Sequence, residues 1–346
     1  MPSILAFPSS TLPKLPQRAE TQGRSEEFLG RWVKERKISR SRVVVSTKVS
    51  GPSGQMTWIR GGPSSLDPLN ITAAIDSSLR RLQMDYIDLY QIHWPDRFVC
   101  LSSHVQYKSV FLLSDCSFCE IIGSSYRYVP MFGETDYDPS RQYDSVGVDD
   151  QLEALGKAVN AGKIRYVGLS NETPYGVMKF IHASQRDSRY PNVISLQNAY
   201  NLLCRNFDAG LAECCHHENI SLLAYSPLAM GILSGKYYAT GKGPTDARLN
   251  LFKGRYSEGE SRYKIADSRV REATLGYLAI AEKYGVHPVS LAMAFVLNQP
   301  LVASAIFGAT KLSQLTEVLN SCETNLTSEL MAEINRVHAA FPNPCP

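Results

Sequence analysis

Short runs of β-branched and other apolar residues recur along this chain, each followed by a stretch with helical spacing. Val43–Val49 (Val-Val-Val-Ser-Thr-Lys-Val) reads as a buried strand. Ile71, Ile75, Leu79 and Leu82 then fall on one face of a helix, with Asn70 in the N-cap position. Ile87–His93 is a second strand. Leu152, Leu155 and Val159 mark the next helical face, closed by Gly162. Ile164–Ser170, Val193–Gln197, Ser221–Ser226 and Ala303–Phe307 complete a set of six predicted strands, with helical patterns between them.

Strand–helix alternation of this kind predicts a parallel sheet covered by helices. No G-x-G-x-x-G follows a strand, which disfavours the dinucleotide-fingerprint fold. A (β/α)8 TIM barrel, typically about 250 residues, fits the length better, although six strands are two short of a full barrel. One stretch breaks the rhythm. Between His93 and Ile164 only a loop and a helix are needed, yet the chain runs on through 98–127, which has no clear period.

Composition narrows the class. The chain has 346 residues, 44% hydrophobic and 20% charged, the profile of a globular protein and not of a disordered or fibrous one. Its apolar runs, Leu291–Leu297 among them, fall far short of the roughly 20 residues of a membrane span. A net charge of +3 excludes nucleic-acid binding by bulk electrostatics. The basic run Lys34–Arg42 reads as a solvated helix end. Eight cysteines are too few for a disulfide scaffold. Cys116-x-x-Cys119 is a lone pair, and Cys214-Cys215-His216-His217 sits in a helical pattern whose adjacent residues diverge, so no metal site is predicted. Met1–Arg18 carries four prolines and no secretory signal.

Specific chemistry enters with Met84-Asp85-Tyr86-Ile87-Asp88-Leu89-Tyr90-Gln91-Ile92-His93-Trp94. With Gly168-Leu169-Ser170-Asn171, Ser195-Leu196-Gln197-Asn198, Ala224-Tyr225-Ser226-Pro227-Leu228 and Gly308-Ala309-Thr310 it forms an ordered set of five motifs. In them the chain resembles the aldo-keto reductase family, in its Tas-like plant and bacterial branch, over roughly 18–97 and 128–346. The resemblance implies one barrel domain over 1–346 that binds NADPH/NADP+ at the C-terminal ends of its strands and transfers a hydride to a small-molecule aldehyde or ketone. It points to the cytoplasm, or to a plastid if the native chain starts further upstream.

The family's lysine and histidine correspond to Lys48 and His93, both at strand ends where barrel enzymes keep their chemistry. The resemblance assigns Ser170, Asn171 and Gln197 to the nicotinamide carboxamide and Tyr225 to stacking on its ring. Ser226, Pro227 and Leu228, with Lys236 and Arg248, match the loop that holds the pyrophosphate and adenosine phosphate, where cationic donors suit phosphate oxygens. Gly308, Thr310, Gln314 and Glu317 match the adenosine end, Lys311 is a further candidate for the 2′-phosphate, and Val318 stands where relatives often carry Asn.

Two departures follow from the same resemblance. The family's first two strands, the second ending in an Asp-Thr-Ala-x-x-Tyr motif with the lysine's aspartate partner and the proton-donating tyrosine, have no counterpart upstream of Gln17, and 1–16 reads as a non-family segment. Residues 98–127 read as an irregular in-frame insertion, of the kind a retained intron leaves, because Arg97 joins smoothly to Tyr128. An alternative function accompanies the first departure: an NADPH-binding regulatory protein similar to potassium-channel auxiliary subunits.

Overall fold

The computed structural model describes residues 3–6, 23–52, 59–61, 65–97, 143–239, 243–254 and 257–345. The predicted insertion 98–127 and most of 1–16 lie outside the described residues. Seven strands, not six, form one all-parallel sheet in sequential order: β1 (Ser3–Ala6), β2 (Val43–Val49), β3 (Ile87–Ile92), β4 (Ile164–Ser170), β5 (Val193–Gln197), β6 (Ser221–Tyr225) and β7 (Val302–Ile306). The helices are α1 (Arg24–Glu35), α2 (Pro68–Leu82), α3 (Val148–Asn160), α4 (Pro174–Arg186), α5 (Leu211–His217), α6 (Arg248–Leu251), α7 (Ser257–Arg262), α8 (Ser268–Lys283), α9 (Pro288–Leu297), α10 (Leu312–Asn320) and α11 (Ser328–Ala340).

Sequential parallel order is what successive β–α–β crossovers of one hand produce when they build a barrel wall. Among the described residues β1 and β7 are the two edges of this wall, which makes it a partial barrel. The extra strand is the correction to the predicted set. Ser3 pairs with Val43 and Ala6 with Ser46, inside the segment read as foreign to the family. Pro2 and Pro8 flank it, and proline is tolerated beside an edge strand that must satisfy only one neighbour.

The strands behave as a two-sided buried sheet. Val45, Ile87, Val167, Leu196 and Leu222 have no exposed surface or almost none, as expected where helices cover the outer face. Helix α2 starts earlier than its predicted cap. Asp67, not Asn70, is the N-cap, its carboxylate accepting from the Asn70 backbone N–H at 2.9 Å, with Pro68 opening the helix. Helix α1 crosses behind β2 and buries Glu26 completely. That carboxylate takes Arg81 of α2 and the Thr47 hydroxyl, each at 2.5 Å. No described helix is long and apolar enough to cross a membrane.

Candidate functional site

The register places the candidate residues before any side chain is considered. Lys48 lies beside Gln91, Gln91 beside Gly168, and Gly168 beside Ser195, so these four form one row across four strands, on one face of the sheet. Ser170 and Gln197 pair in the same way nearer the C-terminal ends. Gly168 is required for this floor: a Cβ there would collide with Ser195 Oγ and press on Gln91. Gln91 is itself fixed, accepting from Ser46 Oγ at 3.0 Å.

Above the floor, side chains converge. Asn171 follows β4 at φ 54°, a left-handed conformation that asparagine tolerates better than most residues. Its Nδ2 donates to the His93 carbonyl at 2.9 Å and to Ser170 Oγ at 3.3 Å, while Ser170 Oγ donates to the Gln197 carbonyl at 2.8 Å. Tyr225, at the end of β6, donates through its hydroxyl to Asn171 Oδ1 at 2.7 Å. Four consecutive strand ends are therefore tied together by the residues assigned to the nicotinamide. Gln197 itself is buried, at 4% exposure, beside this network. This donor and acceptor set fits a carboxamide.

His93 directly follows β3 and its ring packs against Trp94, with 4.4 Å between centroids. Its pKa lies well below the ordinary 6.5, first because it is buried and second because the Lys48 ammonium opposes a second positive charge. Lys48 is itself buried, at 5% exposure.

A pH dependence follows. The unfolded imidazole binds a proton below about pH 6.5 and the native one does not. The stabilisation is therefore complete above that pH and is lost as the pH falls toward the native pKa, by about 1.4 kcal/mol per unit. Urea unfolding at pH 7.5 and 5.5 is expected to show this loss in the wild type and not in His93→Gln. An unchanged slope in the variant would mean that another group carries it.

The remaining candidates form a second group. Ser226, at φ 55°, turns the chain out of β6, and its carbonyl accepts from Asn201 Nδ2 at 3.0 Å. Pro227 follows it into the loop. Leu228 packs with Phe307 and Ala305 around the small cluster Val289, Met293 and Val318. Val318 thus belongs to an apolar contact. Lys236 and Lys311 meet around Asp246, which holds Lys311 Nζ at 2.8 Å. The pKa of Lys236 is lowered, by burial first and also by Lys311, against the opposing pull of Asp246.

Arg248 opens α6, which Tyr237 anchors by accepting from the Leu249 N–H at 3.1 Å. Gly308 and Thr310 are exposed after β7, and the Thr310 N–H donates to Gln314 Oε1 at 2.9 Å. Glu317 faces α9 instead, 2.9 Å from His287 Nδ1. Lys236 and Arg248 follow β6 and Lys311 follows β7, and cationic donors at these two strand ends fit phosphate. A groove of about 360 Å³ lined by Glu27, Arg31, Ser77, Arg80, Arg81 and Gln83 touches none of these residues.

Two features escaped the motif reading. The half-buried Arg97 and the buried Glu172 form a bidentate pair beside the site, and Arg262 reaches Tyr225 from α7. Glu172 adjoins a motif residue and was open to suspicion, but nothing in the sequence announces Arg262. The Cys-Cys-His-His run lies on α5, and among the described residues no group of three metal-ligating side chains occurs.

Comparison with known proteins identifies the family. The model of the Aldo/keto reductase family matches residues 20–339. "Protein tas" of Escherichia coli is 37% identical over 333 residues, covering 96% of this chain and 84% of the relative. An "Aldo-keto reductase" of Babesia bovis is 37% identical over 313 residues, covering 88% and 98%. A "Probable voltage-gated potassium channel subunit beta" of Arabidopsis thaliana is 26% identical over 325 residues, covering 92% and 81%. With the family's span running from before β2 to the end of α11, this chain belongs to the aldo-keto reductase family.

Proposed function

We propose that this chain, as a single barrel domain, binds NADPH across the C-terminal ends of β4 to β7 and reduces a small aldehyde or ketone to an alcohol. The observation that carries the reading is the hydrogen-bonded convergence of Asn171, Ser170, Gln197 and Tyr225 beside Lys48 and His93. Bound there, the cofactor supplies the hydride. Ser170, Asn171 and Gln197 orient its carboxamide, and Tyr225 supports the ring. Lys236, Arg248 and Lys311 take the phosphates, while Gly308, Thr310, Gln314 and Glu317 border the adenosine, with Lys311 favouring a 2′-phosphate.

The substrate side falls to Lys48 and His93. A carbonyl that accepts hydride develops alkoxide charge and needs positive or donor groups near its oxygen. His93, held neutral, donates one N–H to that oxygen without contributing a second full charge beside Lys48. The Lys48 ammonium stabilises the negative charge as it forms. The alkoxide then takes its proton from water.

A second reading has its own support. A relative named as a potassium-channel subunit beta, 26% identical over 325 residues, favours a cofactor-binding regulatory protein with little turnover. Fluorescence titration of NADPH into the full chain, followed by NADPH consumption with a panel of aldehydes, separates the two. Saturable binding at micromolar concentrations with aldehyde-dependent oxidation is the expected result. Binding without oxidation would favour the regulator, and absence of binding would overturn both.

A further inference from the structure

Helix α7 brings Arg262 to the rim of the nicotinamide cluster, where it is buried at 6% exposure. Its Nη1 donates to Tyr225 Oη at 2.7 Å. A guanidinium has five donors and no acceptor, so the tyrosine oxygen must accept there and direct its one proton elsewhere. That proton goes to Asn171 Oδ1. Asn171 is then left with its Nδ2 donors, which face the His93 carbonyl and Ser170 Oγ. Ser170 Oγ passes its own proton to the Gln197 carbonyl. Each link therefore runs in one sense, from a fixed cation on α7 to the end of β5.

The direction matters because an amide side chain has nearly the same shape either way round. At Asn171 the two ends are specified independently. The His93 carbonyl can only accept, and the Tyr225 hydroxyl, accepting from Arg262, places its own proton on Asn171 Oδ1. Without Arg262 the hydroxyl is free to turn its proton elsewhere, and the Asn171 amide is held at its Nδ2 end alone. The Tyr225 ring also loses the contact that holds its outer edge.

We infer that Arg262 is a positioning residue for the nicotinamide end of the cofactor site: through Tyr225 it fixes which face of the Asn171 amide meets the ligand's carboxamide. The inference rests on the cofactor reading proposed above, and it assigns a role to a residue outside the five motifs. It also separates the two ends of the site. Arg262 acts on the carboxamide and ring, whereas Lys236, Arg248 and Lys311 serve the phosphates.

The test is calorimetric titration of the full chain with two ligands, NADP+ and the same molecule without its nicotinamide, 2′-phospho-adenosine diphosphoribose. Arg262→Met is expected to weaken NADP+ roughly tenfold, the scale of one hydrogen bond to a charged group, and to leave the fragment's affinity within about twofold. Arg262→Lys, which keeps a donor-only cation, should recover part of the loss. In Tyr225→Phe the selective loss should appear alone, and adding Arg262→Met to it should cost little more.

Equal weakening of both ligands would overturn the inference, because a loss of general structure has that signature. Unchanged NADP+ affinity in Arg262→Met would also overturn it, while leaving the cofactor reading intact. Should the wild type bind neither ligand, the cofactor reading fails and the inference falls with it. If Arg262→Met does not fold, Arg262→Lys and Tyr225→Phe decide: an equal effect on both ligands, or none on NADP+, refutes the role.

Discussion

Arg97→Ala is expected to destabilise the protein by about 2–3 kcal/mol, between the roughly 0–1 kcal/mol of an exposed pair and the roughly 3–5 kcal/mol lost when one partner of a fully buried pair is removed, because Glu172 is buried while Arg97 is partly exposed. The reason lies in what remains. Glu172 is 2% exposed, and both of its oxygens are engaged by Arg97, Nη1 to Oε1 at 2.7 Å and Nη2 to Oε2 at 2.5 Å. After truncation the carboxylate keeps the Thr173 N–H at 2.9 Å but loses its counter-charge. Space for rearrangement is limited, because a Cβ at Gly176 would already collide with the pair. Urea unfolding at neutral pH reads the loss directly. Arg97→Lys should restore only part of it, since an ammonium cannot bind both oxygens in a planar fork. Replacing both residues by methionine should cost less than Arg97→Ala alone, because no charge is then stranded. A loss below about 1 kcal/mol would show that water already reaches Glu172.

The pair also bears on the site. Arg97 lies four residues beyond His93 and Glu172 follows Asn171, so their contact clamps the ends of β3 and β4 at the level where the candidate residues converge. Thr173, which caps α4 by accepting from the Gly176 N–H, shares the same arginine. Loosening this clamp should weaken cofactor binding as well as stability.

The legible and illegible parts of the molecule divide along physical lines. Strands β2 to β7 were readable because each is a short apolar run, and in β2 to β6 polar residues at the C-terminal end mark the boundary where the candidate site lies. Strand β1 was not, since four residues between prolines carry too little pattern to distinguish an edge strand from a loop. The start of α2 was misplaced by three residues because Asp67-Pro68 and Asn70 both carry capping chemistry, and only geometry shows which accepts. His93, Asn171, Gln197 and Tyr225 stand in motifs, and Lys48 was assigned from its place at the end of a strand. Arg262 was invisible for a different reason. Its contact with Tyr225 joins residues 37 apart across space, and no periodicity or motif encodes such a link. Glu317 shows the converse, since a matched position alone did not foretell its contact with His287 on α9.

The largest functional effect is expected at Lys48. Lys48→Met keeps much of the side chain's volume and removes its charge, at a position 5% exposed where the field of an ammonium is poorly screened by water. If the alkoxide forms beside it, the rate of hydride transfer should fall by about 10²–10⁴-fold, the range seen when acid or electrostatic support is removed from such a transition state. Single-turnover oxidation of bound NADPH by an aldehyde measures that step apart from product release. Affinity for NADPH should change little, because the residues proposed to hold the cofactor are on β4 to β7 and their following loops. A variant that retains more than a tenth of the wild-type rate would remove Lys48 from the chemistry. An independent readout does not require turnover. The Lys48 charge is the second cause of the depressed His93 pKa, after burial. In Lys48→Met the imidazole should therefore titrate higher than in the wild type yet still below 6.5, as followed by the proton resonances of the ring. A lysine that merely filled space would leave that titration where it was.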